Sequence, residues 1–340
     1  MSGTCWTTTG GSRDGRGRWW RSGSTGREAV RRFGIRAPFH RGLSGGSGSD
    51  RARRPVRCIA RRRSVPTAEL FGALVRVQSE AGRLWRVGGV KFFMDATVEG
   101  GTAWLEHADC HGEGTEAFWP APEAYTAAVH RLHRAGVRTA THAIGDAAVR
   151  HVPDTVEALG ESGRLRHRIE HIETVPNGLA ARFAELGVIA SMQPTHTAYT
   201  RADHSDEWSK RLGDERAGRA WRCRDLRDAG AYLALGSDWP IAHYDVRQVL
   251  ATARLRRLPG AYDTEPVTAE QALTGLMALE GCTSHAVVAA GEQHVAGRIA
   301  VGYRADPTAF GVDPVAAPAD ELGEALVRLT VCGGGVVHRG

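Results

Sequence analysis

The chain has 340 residues, of which 42% are hydrophobic and 24% are charged, so it can bury a large core. It contains no run of about 18 apolar residues, which argues against a membrane span, and residues 1–11 lack the apolar stretch of a secretory signal. The six cysteines include no Cys-x-x-Cys pair. We therefore expect neither a zinc knuckle nor a disulfide framework, and we expect a cytoplasmic protein.

The positive charge of the chain is concentrated at its N-terminus. Residues 1–66 hold 16 arginines, 12 glycines and three acids, a net charge of +13, whereas residues 67–340 carry a net charge of −7. Without helical or strand periodicity, this composition predicts a disordered tail, and an out-of-frame translation would give the same Arg/Gly-rich composition. The alternative is a basic arm that binds nucleic acid, with Trp19 and Trp20 stacking on bases. The acidic body argues against nucleic-acid binding by the rest of the chain.

Strands and helices alternate from residue 88 onward. The pattern predicts a buried strand over 88–94 and a helix over 123–136 that ends at Gly136. Further strands are predicted over 137–142, 167–171, 188–192 and 231–236, and further helices over 146–160, 177–187, 217–230, 244–257 and 268–280. This alternation indicates βαβ units and a parallel sheet with about five readable strands.

The last part of the chain has a different pattern. From about residue 290 it is short-stranded and punctuated by glycine, with strand-like stretches over 298–301 and 327–337. These stretches predict a small β-structure appended to the α/β body.

Residues with metal chemistry lie at the carboxyl ends of the predicted strands. Lys91 lies in the first strand, His142 and His171 end the second and third, and Asp238 follows the fifth. Imidazole and carboxylate are zinc-type ligands, and an aspartate beside a metal can accept a proton from water. A single histidine at a strand end is more often a hydrogen-bonded structural residue, but the ordered set favours a metal site. We also expect Asp146 to cap the following helix and to orient the His142 ring.

Six motifs in this order resemble the metal-dependent amidohydrolase superfamily, specifically the amidohydrolase 3 group. They are Val90 to Asp95, Thr102-Ala103, His142 to Ala148, Arg168 to His171, Ser191 to His196, and Gly236 to Pro240. Gly297 to Ile299 and Gly302 to Asp306 resemble the return of that family into its small β-sandwich. The resemblance covers about residues 85–340.

The resemblance implies a TIM-type (β/α) barrel with a small C-terminal β-sandwich. Because about five of the eight barrel strands are readable, we expect an incomplete barrel. The expected organisation is a tail over 1–66, a partial barrel over 67–285 and a sandwich segment over 286–340.

The resemblance also implies a hydrolase that acts on carbon–nitrogen bonds other than peptide bonds. Lys91, His142, His171 and Asp238 would bind a divalent metal, zinc first, with iron or manganese as alternatives. Asp238 would be the general base, and His196 would contact the substrate or its developing oxyanion. The expected partner is a small amide-type molecule, with no membrane and no nucleic acid, and a homo-oligomer is left open.

One departure from the family pattern leaves alternatives open. The family begins its barrel with a His-x-His pair, and the 15 histidines of this chain include none. We therefore expect one metal ion rather than two. The first alternative function is a catalytically inactive, truncated amidohydrolase fragment, and the second is a nucleic-acid-associated protein that uses the basic N-terminal arm.

Overall fold

The computed structural model describes residues 67–82, 85–160 and 163–340, together with the backbone of two short strands at 32–34 and 55–59. The rest of segment 1–66 lies outside the described residues, so the disordered tail and the basic arm stay predictions. No described helix has the length and apolar content needed to cross a bilayer.

The described elements alternate between strands and helices over most of the chain. The strands are β1 (Arg32–Gly34), β2 (Pro55–Ile59), β3 (Ala81–Gly82), β4 (Trp85–Arg86), β5 (Val90–Phe93), β6 (Thr139–Ala143), β7 (Arg168–His171), β8 (Ile189–Met192), β9 (Leu233–Leu235), β10 (Thr308–Phe310), β11 (Val327–Cys332) and β12 (Gly335–Arg339). The α-helices are α1 (Ala68–Arg76), α2 (Pro122–Arg134), α3 (Asp146–Glu157), α4 (Leu179–Glu185), α5 (Glu207–Leu212), α6 (Asp214–Ala217), α7 (Cys223–Asp228), α8 (Val246–Leu255), α9 (Gly275–Cys282), α10 (Ser284–Ala290) and α11 (Ala319–Glu324). Short 3-10 helices cover Val77–Ser79, Pro194–Tyr199 and Ala269–Gln271.

Seven strands form the main sheet, in the order β1-β2-β5-β6-β7-β8-β9. β1 is antiparallel to β2, and every other neighbouring pair is parallel. The five strands predicted from the sequence are β5 to β9, so the α/β class with a parallel sheet is confirmed. β2 adds a parallel strand beside β5, with Cys58 opposite Lys91, inside a segment for which the sequence predicts no fixed structure. The incompleteness of the barrel stays a prediction.

The predicted helices are present, and several end where a glycine allows it. Gly136 and Gly187 follow α2 and α4 with left-handed φ values of 74° and 63°, a conformation that glycine adopts without strain. The helix predicted over 217–230 is shorter, because α7 begins only at Cys223. Trp221 has a left-handed φ of 44°, and a right-handed helix cannot run through such a residue.

The sheet presents one face to the helices and the other to the interior. Phe92 packs edge-on against Tyr125 of α2, with 5.7 Å between ring centroids. The hydroxyl of Tyr125 hydrogen bonds to the hydroxyl of Thr141 at 2.7 Å. Phe92 and Thr141, which are opposite each other in the ladder, therefore face α2. Because side chains alternate along a strand, Lys91 and His142 face the interior.

The C-terminal part contains a three-stranded antiparallel sheet in the order β10-β11-β12, which agrees with the strand-like pattern over 327–337. The strand predicted over 298–301 is wrong. Ile299 and Val301 are fully exposed there, and no described strand pairs with them, so their backbone lacks the hydrogen bonds of a ladder. A second sheet, which a sandwich requires, stays a prediction. The domain boundaries also stay predictions, and α10 runs across the predicted boundary between residues 285 and 286.

Candidate metal centre

The five candidate residues are all buried, with exposed fractions between 4% and 8%. Lys91 lies in β5, His142 in β6 and His171 at the end of β7. His196 lies in the 3-10 helix after β8, and Asp238 follows β9 by three residues. Because the carboxyl ends of parallel strands meet at one rim, the fold places these residues towards the same end of the sheet.

The rings of His142 and His171 lie side by side, with 4.4 Å between their centroids. In the ladder, however, His171 is opposite Ala143, and simple alternation would put the two imidazoles on opposite faces of the sheet. The backbone at His171 and Ile172 is left-handed, with φ values of 79° and 54°. This interruption of the strand lets the two rings meet, and such backbone outliers concentrate at functional sites.

Each of these rings has a buried nitrogen without a hydrogen-bond partner. Nε2 of His142 lies 3.0 Å from the carbonyl oxygen of Ala96; because a carbonyl only accepts, Nε2 carries the hydrogen and Nδ1 keeps the lone pair. Nδ1 of His142 and Nε2 of His171 are both buried and unpartnered. Two adjacent, buried and unpartnered imidazole nitrogens fit a bound cation.

The electrostatic environment keeps both imidazoles neutral. Burial, followed by the charge of Lys91, lowers the pKa of His142 to about 3. Burial also lowers the pKa of His171 well below its ordinary value, with further contributions from His142 and Lys91. Neutral imidazole is the form that coordinates metals, so both residues are ready to bind at neutral pH.

The ring of His196 lies beside the ring of His171. Its ring is nearly parallel to that of His171, with 6.2 Å between centroids. It hydrogen bonds to the backbone of Ser237, while its Nε2 is buried without a partner, so Nδ1 donates to the Ser237 carbonyl. Burial lowers the pKa of His196 to about 4. The neutral ring therefore offers Nε2 as an acceptor.

Lys91 lies close to the imidazole pair, and Asp238 occupies a tight turn. Nζ of Lys91 is 5.5 Å from the centroid of the Phe93 ring, which itself stacks on His142 at 5.1 Å. Asp238 has a left-handed φ of 53°, and its carbonyl accepts a hydrogen bond of 2.9 Å from the Ile241 N–H.

A complete ligand set is not preassembled in the part of the chain that the structure describes. Within those residues, no group of three or more His, Cys, Asp or Glu side chains is spaced to hold one metal ion. The four-ligand set of Lys91, His142, His171 and Asp238 therefore stays a prediction, of which the structure brings the two histidines into contact.

The expectation that Asp146 orients His142 is wrong. Its Oδ1 accepts hydrogen bonds from the backbone N–H groups of Glu106 at 2.8 Å and Ala147 at 3.0 Å. The carboxylate is thus used to hold the loop before α2 against the start of α3. The groups beside Nε2 of His142 are instead the Ala96 carbonyl and the Asp95 carboxylate, the latter at 3.7 Å.

Two acidic residues near the site were missed by the sequence reasoning. Asp95 follows β5 by two residues, and burial raises its pKa to about 7. Glu173 follows β7 by two residues and accepts a hydrogen bond of 2.8 Å from Nε1 of Trp208. Burial, followed by the charge of Glu99, raises the pKa of Glu173 to about 8. The signal that could have found both is the one that identified Asp238, an acid just after a buried strand.

Comparison with known proteins identifies relatives that match about two thirds or more of the chain. The profile of the Amidohydrolase family matches residues 48–338. Protein LONG AFTER FAR-RED 3 of Arabidopsis thaliana is 33% identical over 228 residues, which is 65% of this chain and 38% of that protein. Putative amidohydrolase YtcJ of Bacillus subtilis (strain 168) is 26% identical over 268 residues, which is 77% of this chain and 49% of that protein. The chain thus spans less than half the length of these two relatives.

The fold agrees with these matches. A metal-dependent hydrolase from Pyrococcus horikoshii OT3 superposes with a TM-score of 0.63 at 24% identity, covering 74% of this chain and 50% of that one. This likeness supports a TIM-type arrangement of the main parallel sheet. The family match begins at residue 48, upstream of the six motifs that resemble this family. By the extent of that match, the chain belongs to the Amidohydrolase family.

Proposed function

We propose that this chain is a metal-dependent hydrolase that cleaves carbon–nitrogen bonds other than peptide bonds in a small amide-type molecule. The observation that carries the proposal is the pair of neutral imidazoles, 4.4 Å apart, that each hold a buried and unpartnered nitrogen. Membership of the Amidohydrolase family supports the same class of reaction.

The nitrogens of this pair suit a divalent cation. We propose zinc, with iron or manganese as alternatives, because imidazole and carboxylate ligands suit all three. His142 would bind it through Nδ1 and His171 through Nε2, with Lys91 and Asp238 completing the set. We expect one ion, since the sequence lacks a His-x-His pair. When bound, such a cation polarises a carbonyl group and lowers the pKa of water.

Asp238 and His196 would act on the substrate directly. Asp238 is the general base, which takes a proton from the attacking water and passes it to the departing amine. The neutral Nε2 of His196 accepts a hydrogen bond, which favours a substrate that offers an N–H group. This role differs from stabilisation of an oxyanion, which would need a hydrogen on Nε2.

Metal content per chain, measured by elemental analysis of the purified protein, is the first test. We expect about one zinc equivalent in the wild type and little in His142→Ala or His171→Ala, because each variant removes one of the two adjacent imidazoles that would hold the ion. His130→Ala is the matched control: His130 is a half-buried histidine that bonds the Thr155 carbonyl, outside the site. Release of amine from a panel of small amides then tests the reaction. Wild-type protein without stoichiometric metal, or equal metal in all three variants, would contradict the proposal.

A further inference from the structure

Asp95 connects two loops at the rim that carries His142. It is fully buried, and its carboxylate accepts backbone hydrogen bonds from Trp104 at 2.9 Å and Gly145 at 2.8 Å. A third bond comes from the N–H of Ile144 at 3.1 Å. Trp104 lies in the loop after β5, and residues 144–145 form the turn after β6, so one carboxylate fixes both segments.

The dipeptide Asp95-Ala96 also holds the His142 ring. Ile144 and Gly145 follow His142 by two and three residues, so Asp95 fixes the backbone just beyond the histidine. The carbonyl of the next residue, Ala96, accepts the hydrogen of His142 Nε2 at 3.0 Å. Oδ1 of Asp95 lies 3.7 Å from that same nitrogen, so a second oxygen atom faces the hydrogen on Nε2.

We propose that Asp95 is a positioning residue, which holds His142 in the tautomer with hydrogen on Nε2 and so turns the lone pair of Nδ1 toward the metal centre. The link to metal binding rests on the proposed function, whereas the link to the tautomer does not. Partners that fix the tautomer of a metal-binding histidine commonly change metal affinity about 10- to 100-fold when they are removed.

A carboxylate suits this place better than a neutral amide. Its two oxygens only accept hydrogen bonds, and together they face three backbone N–H groups. In Asp95→Asn, the NH₂ group would replace one oxygen and would face backbone donors. The turn at 144–145 would shift, and the Ala96 carbonyl would no longer meet Nε2 of His142 in a fixed orientation.

The competing explanation is that Asp95 only stabilises loops, and Asp109 provides the control for it. Asp109 is also buried, and its Oδ1 accepts backbone bonds from His111 and Glu113, both at 2.9 Å. Arg211 donates to its other oxygen at 2.6 Å. Its bonds thus join loop segments of the same kind, and none of them reaches β6 or the turn that follows His142.

The test is the ring ¹⁵N spectrum of the histidines in metal-free protein, with His142→Ala to assign the His142 signals. We expect one tautomer, with hydrogen on Nε2, in the wild type and in Asp109→Asn, and a mixture of tautomers in Asp95→Asn. If Asp95→Asn does not fold, Asp95→Ser, which keeps one oxygen acceptor, replaces it in the comparison with wild type and Asp109→Asn. An unchanged His142 spectrum in both Asp95 variants would overturn the proposal.

Zinc titration of wild type, Asp109→Asn, Asp95→Asn and Asp95→Ser adds the second readout. We expect zinc to bind Asp95→Asn and Asp95→Ser about 10- to 100-fold more weakly than wild type, with Asp109→Asn unchanged. An equal loss in Asp109→Asn would assign the effect to loop stability and overturn the proposal. If wild type binds no zinc, the proposed function fails, and the ¹⁵N spectra alone decide the role of Asp95.

Discussion

Nδ1 of His133 and Nε2 of His167 are joined by a hydrogen bond of 2.8 Å, at the amino-terminal end of the sheet and away from His142. The backbone N–H of Thr139 donates to Nδ1 of His167 at 3.1 Å, and Nε of Arg164 donates to Nε2 of His133 at 3.2 Å. Both rings are buried. Burial, followed by the charges of His133 and Arg138, lowers the pKa of His167 to about 3.

This pair predicts a loss of stability in mild acid. The folded pKa of His167 lies below its unfolded value of about 6.5, so its contribution is complete above that pH and is lost as the pH falls toward 3. The free energy of unfolding should fall by up to about 1.4 kcal/mol per pH unit from this residue. Urea unfolding at about pH 7 and about pH 5 measures the change.

His167→Gln isolates the effect from that of the other buried histidines. Glutamine does not titrate, so the variant should be less stable than wild type at pH 7 but should lose less on acidification. If the free energy of unfolding falls by the same amount in wild type and variant between the two pH values, His167 is not the source of the acid sensitivity.

Asp238→Asn should abolish most turnover and leave most of the metal bound. The amide keeps an oxygen that can coordinate, but it cannot take a proton from water, and loss of a general base lowers kcat about 100- to 10,000-fold. Steady-state kinetics and elemental analysis on one sample separate the two effects. Asp203→Asn, an exposed aspartate that bonds Ser205, should change neither. A variant that loses the metal together with activity would contradict this prediction, because the loss of turnover would then follow from the loss of the ion.

Much of the α/β body could be predicted from the sequence. β5, β8 and β9 are short, mostly apolar runs, and the helices between the strands end at glycines such as Gly136 and Gly187, so local composition marks these boundaries. β2 could not be found in this way, because Pro55–Ile59 is a five-residue strand within an arginine-rich segment.

The strand predicted over 298–301 was wrong for the opposite reason. Its residues are apolar, but a strand also needs a neighbouring strand to bond with, and none of the described strands supplies one.

The sequence could predict only which residues of the candidate site lie at the ends of strands. The pattern placed His142 and His171 on one rim, but it could not show that a left-handed backbone at His171 brings the two rings together. The role of Asp95 was also hidden. Its partners Trp104 and Gly145 lie nine and 50 residues away in the chain, and only the folded loops bring them together.

His196→Phe should reduce activity selectively. With Nδ1 bound to the Ser237 carbonyl, Nε2 can only accept, so its loss should raise KM for substrates that have an N–H group. Loss of one hydrogen bond to a neutral group corresponds to about 0.5–1.5 kcal/mol, or about a 2- to 13-fold change. The measurement compares kcat/KM for an N–H amide and its N-methylated analogue. An equal drop for both compounds would argue against this contact, and metal content should stay at the wild-type level.

The C-terminal end of α10 is held by Arg138, which immediately precedes β6, and by Arg86 of β4. Arg138 donates to the carbonyls of Val288 at 3.2 Å and Ala289 at 3.3 Å, and Arg86 donates to Ala290. The carbonyls at the end of a helix have no partner within it and carry partial negative charge, which guanidinium groups satisfy. Burial, followed by the charge of Arg168, lowers the pKa of Arg138 to about 10, so Arg138 remains charged at neutral pH.

Arg138→Ala should therefore weaken the attachment of α10 to the sheet. The carbonyls of two buried residues, Val288 and Ala289, would lose a charged donor, and we expect the free energy of unfolding to fall by about 1–3 kcal/mol, as measured by urea unfolding at neutral pH. Arg298→Ala is the matched control, because Arg298 is exposed and its guanidinium lies 5.6 Å from the centroid of the Tyr303 ring. That variant should change the free energy by no more than about 0.5 kcal/mol. Equal effects of the two substitutions would mean that the carbonyls of α10 find other donors and that Arg138 is not needed to hold the helix.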